Sequence, residues 1–190
     1  QYTLQTQRQM VLSHPNHGLM NVDIVSFDRL AYRVFNDLGI SHGQILDDTG
    51  KNMIIRKILE DHRDDLHAYK GHIRKQGFVD QVKSLISEFL QYGITPRMLK
   101  EKSVLMASDA RLSLKLHDLS LIYEAFMTFL GDRYMTTEEI PDRLCRVIDE
   151  AAILDHAHVY LDNFTGLTPI QYKLIGKILN KAAKVVMTLP

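Results

Sequence analysis

The sequence predicts an α/β fold in which a parallel sheet carries a large, mainly helical insertion. Val22–Phe27 running into Asp28–Leu38, and His158–Asp162 running into Thr168–Leu179, each read as a buried strand, a tight polar turn and an amphipathic helix. Between them lie about a hundred and thirty residues whose apolar side chains recur at helical rather than strand spacing. A further short apolar run, Val185–Leu189, follows the second unit closely. In open α/β sheets ligands bind at the turns after the carboxyl ends of strands. Chemistry is therefore expected near Ser26–Arg29 and Asp162–Thr165.

Each element has its own signal. Leu4–Leu12 is polar and helix-like, and Ser13–Gly18 ends it, because Pro15 cannot continue a helix while Asn16 and Gly18 accept left-handed turns. Val22–Ser26 alternates as a strand. Leu30, Ala31, Val34, Phe35 and Leu38 then share a helix face, which Gly39 terminates. Beyond Asp47 one apolar stripe holds Met53, Ile54, Ile58 and Leu59, and a second holds Phe78, Val82, Leu85, Ile86, Phe89 and Leu90. Gly93 and Pro96 end the second, and a long helix through Leu112, Leu116, Leu119, Leu121, Ile122, Phe126 and Leu130 runs to Gly131. Thr136-Thr137-Glu138-Glu139 is a capping box that predicts a helix running toward Ile153. Val159–Leu161 is a strand ending in Asp162. Thr168-Pro169-Ile170-Gln171 is a second capping box, with proline where its missing N–H costs nothing. The division expected is residues 1–40 with 157–190 as an incomplete α/β core and 41–156 as a helical insertion subdomain.

Composition narrows the function classes. The 190 residues are 45% hydrophobic and 24% charged, ordinary for a globular protein. Lys and Arg total 23 and Asp and Glu total 23, so no overall positive field draws in nucleic acid, and any DNA contact must be local. Cys145 is the only cysteine, which rules out an internal disulfide and a metal site built from several thiolates. No apolar run reaches the ~18 residues of a membrane span. A reducing, cytoplasmic setting without membrane contact is expected. The chain opens at Gln1 and stops at Pro190 directly after a strand-like run, as expected of a fragment of a longer polypeptide.

Few motifs carry chemistry. Gly50-Lys51 is not a phosphate loop, since the preceding Gly43 is too distant, Asn52 follows the lysine and no strand leads in. Asp162 ends a buried strand as the magnesium-proximal Asp of a nucleotide-hydrolysing motor does, but Asn163 follows where such a motor carries its Glu base. Ser26-Phe27-Asp28-Arg29 with Tyr32 sets a hydroxyl, two aromatic rings and a guanidinium at one strand-to-helix turn, a composition suited to single-stranded DNA and equally to core packing. Lys173, Lys177, Lys181 and Lys184 form a basic stripe read as a solvated face. His62, His67 and His72 are spaced five apart and do not line one helix face as zinc ligands would.

Gln1–Thr3, Val25–Val34, Lys115–Tyr123 with its Lys-Leu-His-Asp-Leu-Ser run, and Tyr160–Pro169 with its Asp-x-Phe-x-x-x-Thr-Pro pattern resemble, in order, stretches near the N-terminus of the AddB (RexB) family. These are B subunits of bacterial AddAB-type helicase–nucleases that resect double-strand breaks. The resemblance spans essentially the whole chain. It implies a superfamily 1 helicase-like, RecA-like fold whose ATP-binding loop would lie upstream of Gln1. For the full-length protein it implies ATP, Mg and a 4Fe-4S cluster, DNA as a ligand and an AddA-type helicase–nuclease as heterodimer partner. It implies that this subunit is no motor itself but helps to read the Chi sequence in the exiting single strand. The positions matching that strand-reading surface are Gln1, Thr3, Phe27, Arg29, Tyr32 and Phe164, with Tyr32 standing where tryptophan is common. Asp162 matches a nucleotide- and magnesium-proximal position, and Asn163 agrees with a non-hydrolytic role. No catalytic residue and no metal ligand are assigned, and the fragment alone is expected to be inactive. The alternative, from another class, is a helical protein-interaction module with a vestigial sheet and no nucleic-acid function.

Overall fold

Five short polar side chains decide where helices begin. Ser26, Asp47, Thr95, Asp109 and Thr168 each accept a hydrogen bond from the backbone N–H three residues on, at 2.7–3.3 Å, and so satisfy a donor that the first helical turn leaves open. The computed structural model describes residues 2–41, 43–75, 77–162, 164 and 166–188. In chain order it gives α1 (Tyr2–Ser13), α2 (Phe27–Asp37), β1 (Gln44–Ile45), α3 (Asp48–Asp61), α4 (Phe78–Tyr92), α5 (Pro96–Leu105), α6 (Ala110–Leu130), β2 (Tyr134–Met135), α7 (Ile140–Val147), β3 (His158–Leu161), α8 (Pro169–Lys181) and β4 (Lys184–Met187). The chain is mixed α/β, mostly helical, with two small parallel sheets. Among the described residues no helix is long and apolar enough to cross a membrane.

The apolar stripes read from the sequence close two buried clusters. In the first, Ile55 and Leu59 of α3, Val82 and Ile86 of α4, Leu99 of α5 and Ile122 and Phe126 of α6 pack together. In the second, Ala31, Val34 and Phe35 of α2, Ile140 and Leu144 of α7, and Leu174 and Ile178 of α8 pack together, with Val159 of β3 and Val185 of β4 against them. Each fully buried Leu, Ile or Phe contributes roughly 1.5–3 kcal/mol, so these clusters dominate the favourable side of folding. The second cluster therefore unites residues near both ends of the chain with Met135–Leu154, which includes α7.

Two expectations are corrected. Val22–Ser26 belongs to no ladder, so the stretch read as a sheet strand is the lead-in to α2, extended at its last residue, Ser26. Alternating apolar residues favour an extended backbone, but a strand also requires a neighbour with which to exchange hydrogen bonds. Val22 is half exposed, and Asp23 is tied by an ion pair to Arg33 on α2. The second α/β unit does carry a paired strand: β3 and β4 run parallel, with Val159 opposite Val185 and Tyr160 opposite Val186, and α8 connects them. Helix α7 also does not run unbroken to Ile153. The capping box is present, Glu139 Oε2 accepting from the Thr136 N–H at 2.8 Å, but it opens a 3-10 turn at Thr137–Glu139. Pro141 stands in the first turn of α7, and two further 3-10 turns, Ile148–Glu150 and Ala152–Leu154, follow the helix. Helix α5 and the two-residue pair β1–β2 add elements that the apolar spacing did not separate.

Candidate nucleic-acid interface

Ser26 fixes the start of α2 and thereby the directions of the side chains that follow it. Its hydroxyl accepts from the Arg29 N–H at 3.3 Å, and its carbonyl from the Leu30 N–H at 2.9 Å. Phe27 is then the first helical residue, half-buried against the second cluster, and Arg29 stands exposed two residues on. Tyr32 is one turn further, half-buried, its ring edge-on to Phe35 at 6.4 Å between centroids. Phe35 is fully buried and carries the guanidinium of Arg143 5.9 Å from its ring centre. The core-packing reading thus holds for Tyr32, which braces α2 as well as bordering the turn. Burial pushes the Tyr32 hydroxyl up, and the neighbouring Asp28 charge adds to it; the Asp28 carboxyl is itself raised by desolvation.

The second turn meets the first. Phe164, in the segment after β3, places its ring 5.1 Å from that of Phe27, the planes tilted by 36°. Both rings are half-buried, so each keeps an accessible portion. The two strand-to-helix turns singled out in the sequence therefore converge, although only one of them follows a paired strand. At the end of β3 the Thr188 hydroxyl donates to Asp162 Oδ1 at 2.5 Å and ties the exits of β3 and β4 together. Thr3 sits on α1, which contributes to neither buried cluster among the described residues, and Gln1 lies outside the described residues, as does Asn163.

Several other candidates are settled by their partners. Lys51 is 3% exposed, and its ammonium lies 2.9 Å from both Glu138 and Asp48. Ser87 also donates to Glu138, at 2.8 Å. That lysine is a structural clamp between α3, α4 and the turn before α7, and it is not available to a phosphate. Burial works against its charge, but the two carboxylates outweigh it and raise its pKa. The basic stripe of α8 is partly committed as well. Lys177 pairs with Asp149, and Lys181 lies 3.3 Å from Asp155, so the stripe fastens α8 to the 3-10 turns instead of presenting four open charges. Among the described residues no group of three or more His, Cys, Asp or Glu is placed to hold a metal.

One residue of consequence was missed. Asp118, fully buried in α6, accepts from the N–H groups of His67, Ala68 and Tyr69 at 3.0, 2.7 and 2.9 Å. The signal was present in the Lys-Leu-His-Asp-Leu-Ser run. On a helix Asp118 stands beside Leu119 and one turn from Ile122, within the apolar stripe, where a carboxylate needs donors.

With this geometry in view, the comparison with known proteins is direct. A family model described as ADDB, N-terminal, matches residues 1–190. The chain belongs to the AddB N-terminal family. Relatives named as the B subunit of an ATP-dependent helicase/deoxyribonuclease include those of Lachnoclostridium phytofermentans, 43% identical over 189 residues, Alkaliphilus oremlandii, 34% over 188, and Clostridium kluyveri, 32% over 189. The alignments cover 99–100% of this chain and 16% of each relative, so the AddB-family domain described here spans about a sixth of their length. The matched region contains both Phe27 and Phe164, and Asp118 accounts structurally for the Lys-Leu-His-Asp-Leu-Ser run within it.

Proposed function

We propose that this chain is the N-terminal, helicase-like part of the B subunit of an ATP-dependent helicase/deoxyribonuclease, and that the surface around Phe27, Arg29 and Phe164 captures single-stranded DNA. The observation that carries the proposal is the Phe27–Phe164 pair with Arg29 on the same helical turn. Partly exposed rings offer faces on which bases stack whatever their identity, and a nearby guanidinium supplies a phosphate or base-edge partner. The family relation and the relatives' names support DNA as the ligand and a second subunit as the partner. In the finer form of the proposal the partner is an AddA-type helicase–nuclease, the fold is completed as RecA-like, and the strand is read for Chi during double-strand break resection in the cytoplasm.

The cofactors of such an enzyme do not fit this chain's own residues. A 4Fe-4S cluster needs four thiolates, and Cys145 is the only cysteine. An ATP phosphate loop needs an accessible lysine in a glycine-rich turn, and Lys51 is buried in its ion pairs. Asp162 is exposed at a strand end, as a magnesium-proximal residue would be, but it belongs to no group of three or more His, Cys, Asp or Glu placed to hold a metal among the described residues.

The test uses the full-length subunit in its complex. Arg29→Ala and Phe164→Ala should disturb the response to Chi while leaving unwinding by the partner motor nearly intact. Two variants that respond to Chi as the parent does would reduce these residues to packing and surface roles.

A further inference from the structure

His67–Lys75 forms no helix or strand, yet its backbone is fixed. Asp118 takes three of its N–H groups, and Leu66 just before it and Ile73 within it are anchored in the first cluster. Tyr69 packs on Phe78 at 5.2 Å and lies edge-on to His72 at 6.3 Å. The fixed segment stands beside the first turns of α6, and between them is a cleft of about 390 Å³ lined by Tyr69, His72, Arg111, Leu114 and Lys115 among others. Among the described residues no carboxylate lines it. Arg74 and Lys75 continue the same segment, both exposed.

Part of the positive charge of the molecule is offset by a neighbouring carboxylate and part is not. Lys51, Lys83, Lys177, Lys181, Arg33, Arg97 and Arg146 each lie within 4.0 Å of a carboxylate. Within the segment Lys70 does so too, with Asp64 at 2.8 Å. Among the described residues Arg74, Lys75, Arg111 and Lys115 have no such partner. Arg111 and Lys115 are four apart on α6, a spacing at which like charges repel. Arg111 and Lys115 line a cleft without carboxylates, and the fixed segment beside it bears the exposed Arg74 and Lys75, so a chain of zero net charge presents here a local surface that gains by meeting a polyanion.

We propose that this cleft binds the phosphodiester backbone of DNA without reading its sequence, as a contact point separate from the Phe27–Phe164 surface. The proposal rests on the reading of this chain as part of a DNA-handling subunit. The cleft favours a phosphate backbone over an acidic peptide because its large apolar lining is confined to Leu114 and to Tyr69, whose ring is already packed on Phe78, whereas protein interfaces are anchored by several buried aromatic and aliphatic groups.

The experiment has two arms on the full-length protein. In the first, lysine acetylation is mapped with and without a duplex or single-stranded oligonucleotide, which needs no variant. Lys75 and Lys115 should be protected by DNA, while Lys100 and Lys102 on α5 should not. In the second, DNA affinity is measured across salt concentrations for an Arg74→Gln, Lys75→Gln, Arg111→Gln, Lys115→Gln variant and for a control with Arg97→Gln, Lys100→Gln and Lys102→Gln. The cleft variant should show a slope of log affinity against log salt shallower by about 3 to 4, at roughly 0.9 for each phosphate no longer neutralised, and the control should change little. Unprotected Lys75 and Lys115, or equal falls in affinity for cleft variant and control, would overturn the inference. A parent that binds no DNA would overturn the DNA reading itself. A parent whose binding drops in Phe164→Ala but not in the cleft variant would overturn the cleft alone.

Discussion

The ring of Phe27 at the start of α2 lies 5.1 Å from the ring of Phe164 in the turn after β3, so residues from near the two ends of the chain form one aromatic surface. Such a tilted pair contributes about 0.5–1.5 kcal/mol beyond the area it buries. Phe27→Ala and Phe164→Ala should each destabilise the protein. The double variant should lose less than the sum of the two, because each single change already removes the pair. Chemical denaturation of all three variants measures that coupling, and strict additivity would show that the rings do not support one another.

Asp118 holds three backbone donors from a buried position. Asp118→Ala strands those donors and should cost about 3 kcal/mol or more, whereas Asp118→Asn keeps one acceptor oxygen and should cost less. Hydrogen exchange supplies the local readout. The amides of His67, Ala68 and Tyr69 should exchange much faster in Asp118→Ala, while amides in α2 and α8 should be little affected.

The clamp of Lys51 and Glu138 gives stability a defined dependence on pH. Burial raises the Glu138 carboxyl, but hydrogen bonds from Lys51 and Ser87 outweigh it and hold the group below the ordinary glutamate range. A depressed folded pKa contributes stability that is complete above the unfolded glutamate value and is lost as pH falls through the folded one. Lys51 has the opposite sign: its folded pKa is raised, so its contribution is complete below the unfolded lysine value and is lost as pH rises through the folded one. Glu138→Gln should flatten the acid limb of a stability-against-pH curve. At neutral pH it should cost about 3 kcal/mol, the lower end of the range for breaking a buried pair, because Asp48 still faces Lys51.

Cys145 is 5% exposed, and burial pushes its thiol up, so little thiolate forms near neutrality. A thiol reagent at pH 8 should label it slowly in the native protein and rapidly in denaturant. Fast native labelling would mean that the α2–α7–α8 cluster opens readily.

Helices were legible in the sequence because their signals are local. Thr168 caps α8 as its capping box predicts, and the stripes of α3, α4 and α6 bury most of the residues that periodicity selects, with Met53 and Leu112 left exposed. Val22–Ser26 shows the limit of that method, since alternation fixes a backbone shape and says nothing of whether a neighbour lies alongside. The meeting of Phe27 with Phe164 was legible only as two similar turns, because their approach depends on α7 packing between α2 and α8. Tyr32 is ambiguous for a physical reason: a ring at that helical position can face Phe35 and border the surface at once. Asp118 and Lys51 escaped because the partners of a buried charge come from distant segments, and spacing along the chain does not reveal them.

Single-strand capture by the Phe27–Phe164 surface is tested most directly by the affinity of the full-length protein for a single-stranded oligonucleotide, measured by fluorescence anisotropy in the parent and in Phe164→Leu. The substitution keeps an apolar side chain against Phe27 but removes the ring face on which a base would stack. Stacking is worth on the order of 1–3 kcal/mol per base, so binding should weaken about five- to a hundredfold with the melting temperature lowered only slightly. Unchanged affinity in a folded Phe164→Leu protein would contradict this and leave the Phe27–Phe164 pair as packing alone.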